Sequence, residues 1–148
     1  MGVVDSLELQ PLADPADPDD WRPNSRWALA SDPRASLAVI AEEIAPGDCI
    51  PLHRHRIDEV LLFHSGQAEI RIGEQTFGVG AGAIAFVPAG ELHGTTNVGN
   101  EPVRLQAVFP SHAIDIEYLG RNPAPGTEED PPQPAITYDT RTGEITPR

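Results

Sequence analysis

His53 and His55 stand two residues apart in GDCIPLHRHRIDEVLLFHSG, and Glu59 follows four residues later. On a β-strand such a histidine pair shares one face, about 6.5–7 Å apart along it. Two imidazoles so placed can reach one ion, since metal–nitrogen bonds are about 2 Å long. On a helix the same pair would point in nearly opposite directions, and Pro51 and Gly47 also argue against a helix there. Glu59 lies an even number of residues beyond His55 and can return to the same face. Its carboxylate is a hard ligand that complements imidazole on iron, manganese, nickel or zinc. A fourth ligand must come from elsewhere, and His93, in PAGELHGTTN after an apolar run and a turn, is the natural candidate. Three neutral imidazoles and one carboxylate would leave one or two coordination positions open, which is the mark of a reactive site.

The alternative is that His53 and His55 are surface residues beside a core strand, EVLLF. His64 has the opposite strand parity from Glu59, Leu61 and Phe63, so it is expected to face away from them. His112 follows a Pro-Ser turn and is read as structural. Cys49, the sole cysteine, is read as a small buried residue, because no basic partner is evident beside it.

The elements that must position these side chains are short and β-like. From Arg26 to about Leu119 the runs are RWALAS, SLAVIAEEI, EVLLFH, QAEIRI, QTFGV, AIAFV, HGTTNV, VRLQAVF and AIDIEYL, punctuated by Gly-, Pro- and Asp-rich turns. Turn signals every eight to twelve residues predict an antiparallel sandwich or barrel. Sixteen prolines and 13 glycines in 148 residues agree with many turns. The chain divides into an arm over 1–25, a barrel domain over 26–120 and a proline-rich acidic tail over 121–148. In the tail, Ile136 and Tyr138 could face Ile145 across a DTRTG turn.

Composition excludes several chemistries. The net charge is −13 and all ten basic residues are arginine. Without lysine there is no Schiff-base chemistry, and an acidic chain is a poor partner for nucleic acid. One cysteine permits neither an intrachain disulfide nor a thiolate cluster. No run approaches the roughly 20 apolar residues of a membrane span, and the N-terminus does not read as a signal peptide. A cytoplasmic location is the expectation.

Two linked spacings carry a family resemblance. The first is Gly47, five residues, His53-x-His55, three residues, Glu59, six residues, Gly66. The second is Gly82, five residues, Pro88-x-Gly90, two residues, His93, three residues, Asn97, and fifteen residues separate the two. With that spacer they span about a third of the chain. Together they resemble the two signature motifs of the cupin superfamily, with every position filled. The resemblance implies an all-β fold, a double-stranded β-helix or small jelly-roll barrel, here with extended N- and C-terminal arms. It also implies one divalent first-row transition metal ion (Fe, Mn, Ni, Zn or Cu) inside the barrel mouth, held by His53, His55, Glu59 and His93. Small cupins are often dimers, and the N-terminal arm could add a strand to a partner's sheet.

Because this fold hosts dioxygenases, isomerases, decarboxylases, lyases, sugar-binding regulators and storage proteins, the pocket must decide the reaction. Strand parity nominates Ile57, Leu61, Phe63, Ile84 and Phe86 as a mostly apolar lining. Gln106, with Arg104, could supply a polar contact if that face of VRLQAV is the inner one. For Glu42 and Glu43 a solvent-facing position is expected, although either could project towards the site. No further general base is evident. An apolar cavity around an open metal position suits oxygen chemistry on a small organic substrate, hence a dioxygenase-like oxidoreductase. The alternatives are a non-catalytic small-ligand-binding module and a metal-dependent lyase, decarboxylase or isomerase.

Overall fold

The computed structural model describes residues 2–148. Its thirteen strands are Gln10–Pro11 (β1), Arg26–Ser31 (β2), Ala38–Ile44 (β3), Cys49–Arg54 (β4), Glu59–Ser65 (β5), Ala68–Ile72 (β6), Gln75–Val79 (β7), Ile84–Val87 (β8), His93–Asn97 (β9), Val103–Phe109 (β10), Ala113–Tyr118 (β11), Ile136–Asp139 (β12) and Ile145–Pro147 (β13). They form a six-stranded sheet in the order β1-β2-β3-β10-β5-β8 and a seven-stranded sheet in the order β13-β12-β11-β4-β9-β6-β7. Every strand pairing within these sheets is antiparallel. Two antiparallel sheets are what the turn spacing predicts, and the all-β jelly roll is what the family resemblance implies. No helix among the described residues is long and apolar enough to cross a membrane.

The inner faces of the two sheets meet over Ile44, Leu61, Phe63, Ile70, Val87, Val103, Leu105, Phe109 and Ile114, all buried. Burying each such side chain contributes about 1.5–3 kcal/mol. Alternation along β5 and β10 is strict: Leu61 and Phe63 face inward opposite Ala107 and Leu105, while Val60, Leu62, Gln106 and Val108 face outward. The turns depend on the motif glycines, with Gly47, Gly66, Gly82 and Gly90 all at positive φ. Gly66 is the most constrained. At φ +80°, a Cβ there would lie 2.7 Å from the Pro102 carbonyl oxygen and 2.9 Å from Val103 Cα. Both the conformation and the space exclude a side chain. Gly66→Ala is therefore expected to lower stability by about 1–3 kcal/mol, read as a reduced midpoint in urea unfolding.

The two terminal segments hold each other. The acidic stretch before Arg26 and the proline-rich stretch after Gly120 each lack a core of their own. Asp19, fully buried, accepts hydrogen bonds from Arg121 Nε at 3.2 Å and from the Gln133 backbone at 2.8 Å. Backbone bonds join Trp21 to Asn122 and Ala124 to Asp17, and Ala124 is fully buried. The C-terminal hairpin forms with Tyr138 opposite Ile145, as expected from the sequence, while Ile136 stands opposite Pro147.

Candidate metal centre

His53 lies on β4, His55 one residue past its end, Glu59 at the start of β5 and His93 at the start of β9. His53 and His93 are direct cross-strand partners. The β4–β9 register shifts between Ile50 and His53, a bulge of the kind that re-aims side chains beside functional sites. Gly94 permits the strands to close there, since a Cβ would stand 2.8 Å from the Ile50 carbonyl oxygen. All four side chains are buried. One ligand atom from each lies within 4.8 Å of every other.

Hydrogen bonding assigns the imidazole tautomers. Nδ1 of His53 donates to the Pro51 carbonyl at 2.7 Å, Nδ1 of His55 to the Asp115 carbonyl, and Nδ1 of His93 to the Glu91 carbonyl at 3.1 Å. A carbonyl only accepts, so Nδ1 carries the proton in each ring and Nε2 presents a lone pair to the centre, the arrangement of ligating histidines. Asp115 is fixed in turn: its carboxylate accepts from the Arg56 backbone at 2.8 and 3.0 Å and from Arg148 Nη1 at 3.1 Å.

The centre is left with acceptors facing acceptors. Glu59 Oε2 lies 2.7 Å from His93 Nε2 and 3.3 Å from His55 Nε2. These three buried atoms have no other partner. Lone pairs so close repel unless a positive charge sits among them, either a proton or a metal cation. The donor set, three imidazole nitrogens and a carboxylate oxygen, fits a divalent first-row ion.

The protonation balance points the same way. Burial, reinforced by His93 and His55, pushes His53 down to about 3, so it is neutral without having to lose a proton. Burial alone would raise Glu59, but His55 and His93 outweigh it whenever a proton on Nε2 makes either ring a cation and a donor, and they hold the carboxyl well below the usual range. His55 is raised, because Glu59 more than offsets the opposing effect of burial. A metal ion must displace the proton held there, so affinity should rise as pH rises through and above the ordinary histidine value. Calorimetric titration of metal-free protein with zinc across a pH series checks this, and pH-independent affinity would contradict it.

Residues 41–109 match the cupin domain family Cupin_2. That stretch, which holds both motifs and all four candidate ligands, is a cupin domain. Solved structures agree in fold. A mutant of Bacillus subtilis oxalate decarboxylase superposes with a TM-score of 0.59 at 23% identity, over 64% of this chain and 28% of that one. A second structure of that enzyme, from work on its Mn(II) centres, gives 0.61 at 22%, over 70% and 30%. The cupin domain of Schizosaccharomyces pombe Cnp3 gives 0.58 at 21%, over 70% and 68%. The chain thus spans less than a third of the oxalate decarboxylase chains it matches. None of the curated proteins matches its sequence.

The centre opens into a cavity of about 390 Å³, within the usual range for small-ligand sites. Leu61, one of the nominated residues, lines it with Trp27, Ile40, Leu105, Phe109 and Ile114. The other nominated pocket residues lie elsewhere. Phe63 is buried in the core and Ile57 packs against that core. Ile84 and Phe86 are 58% and 71% exposed: β8 sets Ala85 opposite Leu61, which turns both large side chains to the outer face beside Leu62 and Val60. Gln106 is also on the outer face, where its Oε1 meets Nε2 of the exposed His64 at 3.1 Å. Leu105, Ala107 and Phe109 form the inner face of β10.

His64 and His112 are structural or outward-facing, as read from sequence. His112 bridges the Thr140 hydroxyl and the Ala35 carbonyl. Burial raises the half-buried Cys49 thiol, which disfavours the nucleophilic thiolate.

The two adjacent glutamates part company. Glu43 faces outward and pairs with Arg26 at 2.9 Å and Arg104 at 3.0 Å. Glu42, expected to face solvent, is instead in the cavity wall with Asp20, Arg22 and Tyr118. Asp20 and Arg22 were not legible as site residues, since their only sequence signal is an acidic, proline-rich arm.

Proposed function

We propose that this cupin is a metal-dependent, dioxygenase-like oxidoreductase acting on a small organic molecule with an apolar body and one or two oxygen donors. The observation that carries the reading is the buried His53–His55–Glu59–His93 cluster at the floor of an apolar-walled cavity. A redox-active ion held there would supply Lewis acidity and electrons at positions the four side chains leave free. The protein's part is orientation and exclusion of water. Trp27, Ile40, Leu61 and Phe109 would bury the apolar body of the substrate, and the Nδ1–carbonyl bonds hold the three imidazoles in one tautomer. Similarity to structures of oxalate decarboxylase, one of them studied for its Mn(II) centres, supports a metal in this fold without choosing the reaction.

The test is elemental analysis of protein purified without added metal. Oxygen uptake is then measured with iron, nickel or manganese loaded, against enols, flavonols, thiols and catechols. Uptake with one class supports the reading, and none across the panel overturns it. Tight binding without turnover would favour the ligand-binding alternative.

We infer a homodimer as well, supported by the exposure of Ile84 and Phe86 on the outer face and of Val3 and Val4 on the arm. A monomeric mass that stays constant as concentration rises would remove it.

A further inference from the structure

Glu42 sits at the centre of a buried network that the metal ligands do not need. It projects inward from β3 between its cross-strand partners Trp27 and Leu105. Its Oε2 accepts a hydrogen bond from Arg22 Nη1 at 3.1 Å, while the side chain keeps 16% of its surface open. Among the described residues Arg22 alone hydrogen-bonds this side chain. Arg22 is itself clamped. Its Nε and Nη2 donate to the two carboxylate oxygens of Asp20 at 2.7 and 2.9 Å, and Tyr118 donates its hydroxyl to Asp20 Oδ2 at 3.0 Å.

Charge counting singles out one member. Asp20 and Arg22 cancel as a bidentate pair, Tyr118 is kept in its phenol form by burial and by Asp20, and Glu42 is the carboxyl left over. A buried polar network that serves only stability is a poor use of cavity wall, because an apolar replacement is often as stable. Around Glu42 stand Asp20 and Arg22 from the N-terminal segment, Tyr118 from β11 and Glu59 from β5, with the three histidines on the same cavity. Burial raises the Glu42 carboxyl; Arg22 restrains the shift, and Asp20 and Glu59 add to it. A carboxyl whose pKa is raised towards neutrality is a stronger base when ionised, and the nearer it lies to the working pH the more evenly its two protonation states are populated.

We propose that Glu42 is the proton-transfer group of this cavity and that Arg22 is its positioning residue. The proposal rests on the functional reading above, with a hydroxyl- or enol-bearing molecule at the open side of the centre. The O–H bond of that molecule breaks, its proton joins a Glu42 carboxylate oxygen, and the electron pair stays on the ligand oxygen as an oxyanion. The same proton is then available for return to the product.

The test uses the zinc-loaded full chain and 4-nitrocatechol, whose visible absorbance reports its ionisation. Proton release on binding is measured by calorimetry in buffers of different ionisation enthalpy, over a pH series. Glu42→Gln keeps an oxygen for Arg22 but cannot take a proton. The wild type is expected to release about one proton fewer than E42Q wherever Glu42 is ionised in the free protein, with equal zinc content in both. Arg22→Gln should move the onset of that difference to higher pH, because the cation no longer favours the carboxylate, and Arg22→Lys should restore it partly. Equal proton release by wild type and E42Q at every pH overturns the proposal. Failure of the wild type to take up zinc overturns the metal reading instead.

Discussion

Replacing His53 with alanine is expected to lower zinc affinity more than 100-fold and to leave the purified protein largely metal-free. Losing an outer partner of a ligand already costs about 10–100-fold, and here a ligand itself is lost. His53 is also the imidazole best prepared for binding: its Nδ1 is committed to the Pro51 carbonyl at 2.7 Å, and its pKa is pushed down to about 3. The other three ligands cannot close over the gap, because each is tied to a different element. The fold should survive, since the inner faces of both sheets pack without this ring. His64→Ala serves as the control. That histidine faces outward towards Gln106, so its loss should leave metal content unchanged. Elemental analysis of the two purified variants decides, and unchanged occupancy in H53A would show that the ligand set is wrong.

The ligand set was legible because it depends on local spacing. Two motifs and strand parity suffice to gather His53, His55, Glu59 and His93, and the positive-φ glycines that shape their turns sit at motif positions too. The cavity wall was less legible, for a physical reason. Parity says which residues of a strand share a face, but the register with neighbouring strands decides which face is inner. On β8 the small Ala85 faces in because it opposes Leu61, and the bulkier Ile84 and Phe86 are turned out. Parity put Ile84 and Phe86 on one face without saying that it was the outer one. Glu42 and Glu43 pose the same problem in its sharpest form. They are chemically identical neighbours, and what separates them is the place of three arginines: Arg26 and Arg104 outside, Arg22 inside. Arg22 arrives from a segment whose composition reads as an unpacked arm. It packs because a second such segment, from the other end of the chain, supplies the missing surface.

Removal of Asp20 is expected to be the most damaging single change outside the core. Arg22 has 3% of its side chain exposed, and both of its Asp20 contacts are short. In Asp20→Ala the guanidinium stays buried with Glu42 as its remaining carboxylate partner, and the Tyr118 hydroxyl loses its acceptor. Breaking a buried pair from one side costs about 3–5 kcal/mol. At about 2–4 °C per kcal/mol for a chain of this size, the melting temperature should fall by about 6–20 °C. The triple variant Asp20→Leu, Arg22→Met and Glu42→Leu removes all three charges, so that no carboxyl is left without the cation that pairs it, and it should melt closer to wild type than D20A does. A triple variant as unstable as the single one would mean that the network is needed to hold the N-terminal segment down. Recovery of stability would mean that the fold does not require the network, which leaves the placement of Glu42 in the cavity as the reason to keep so many charges out of water.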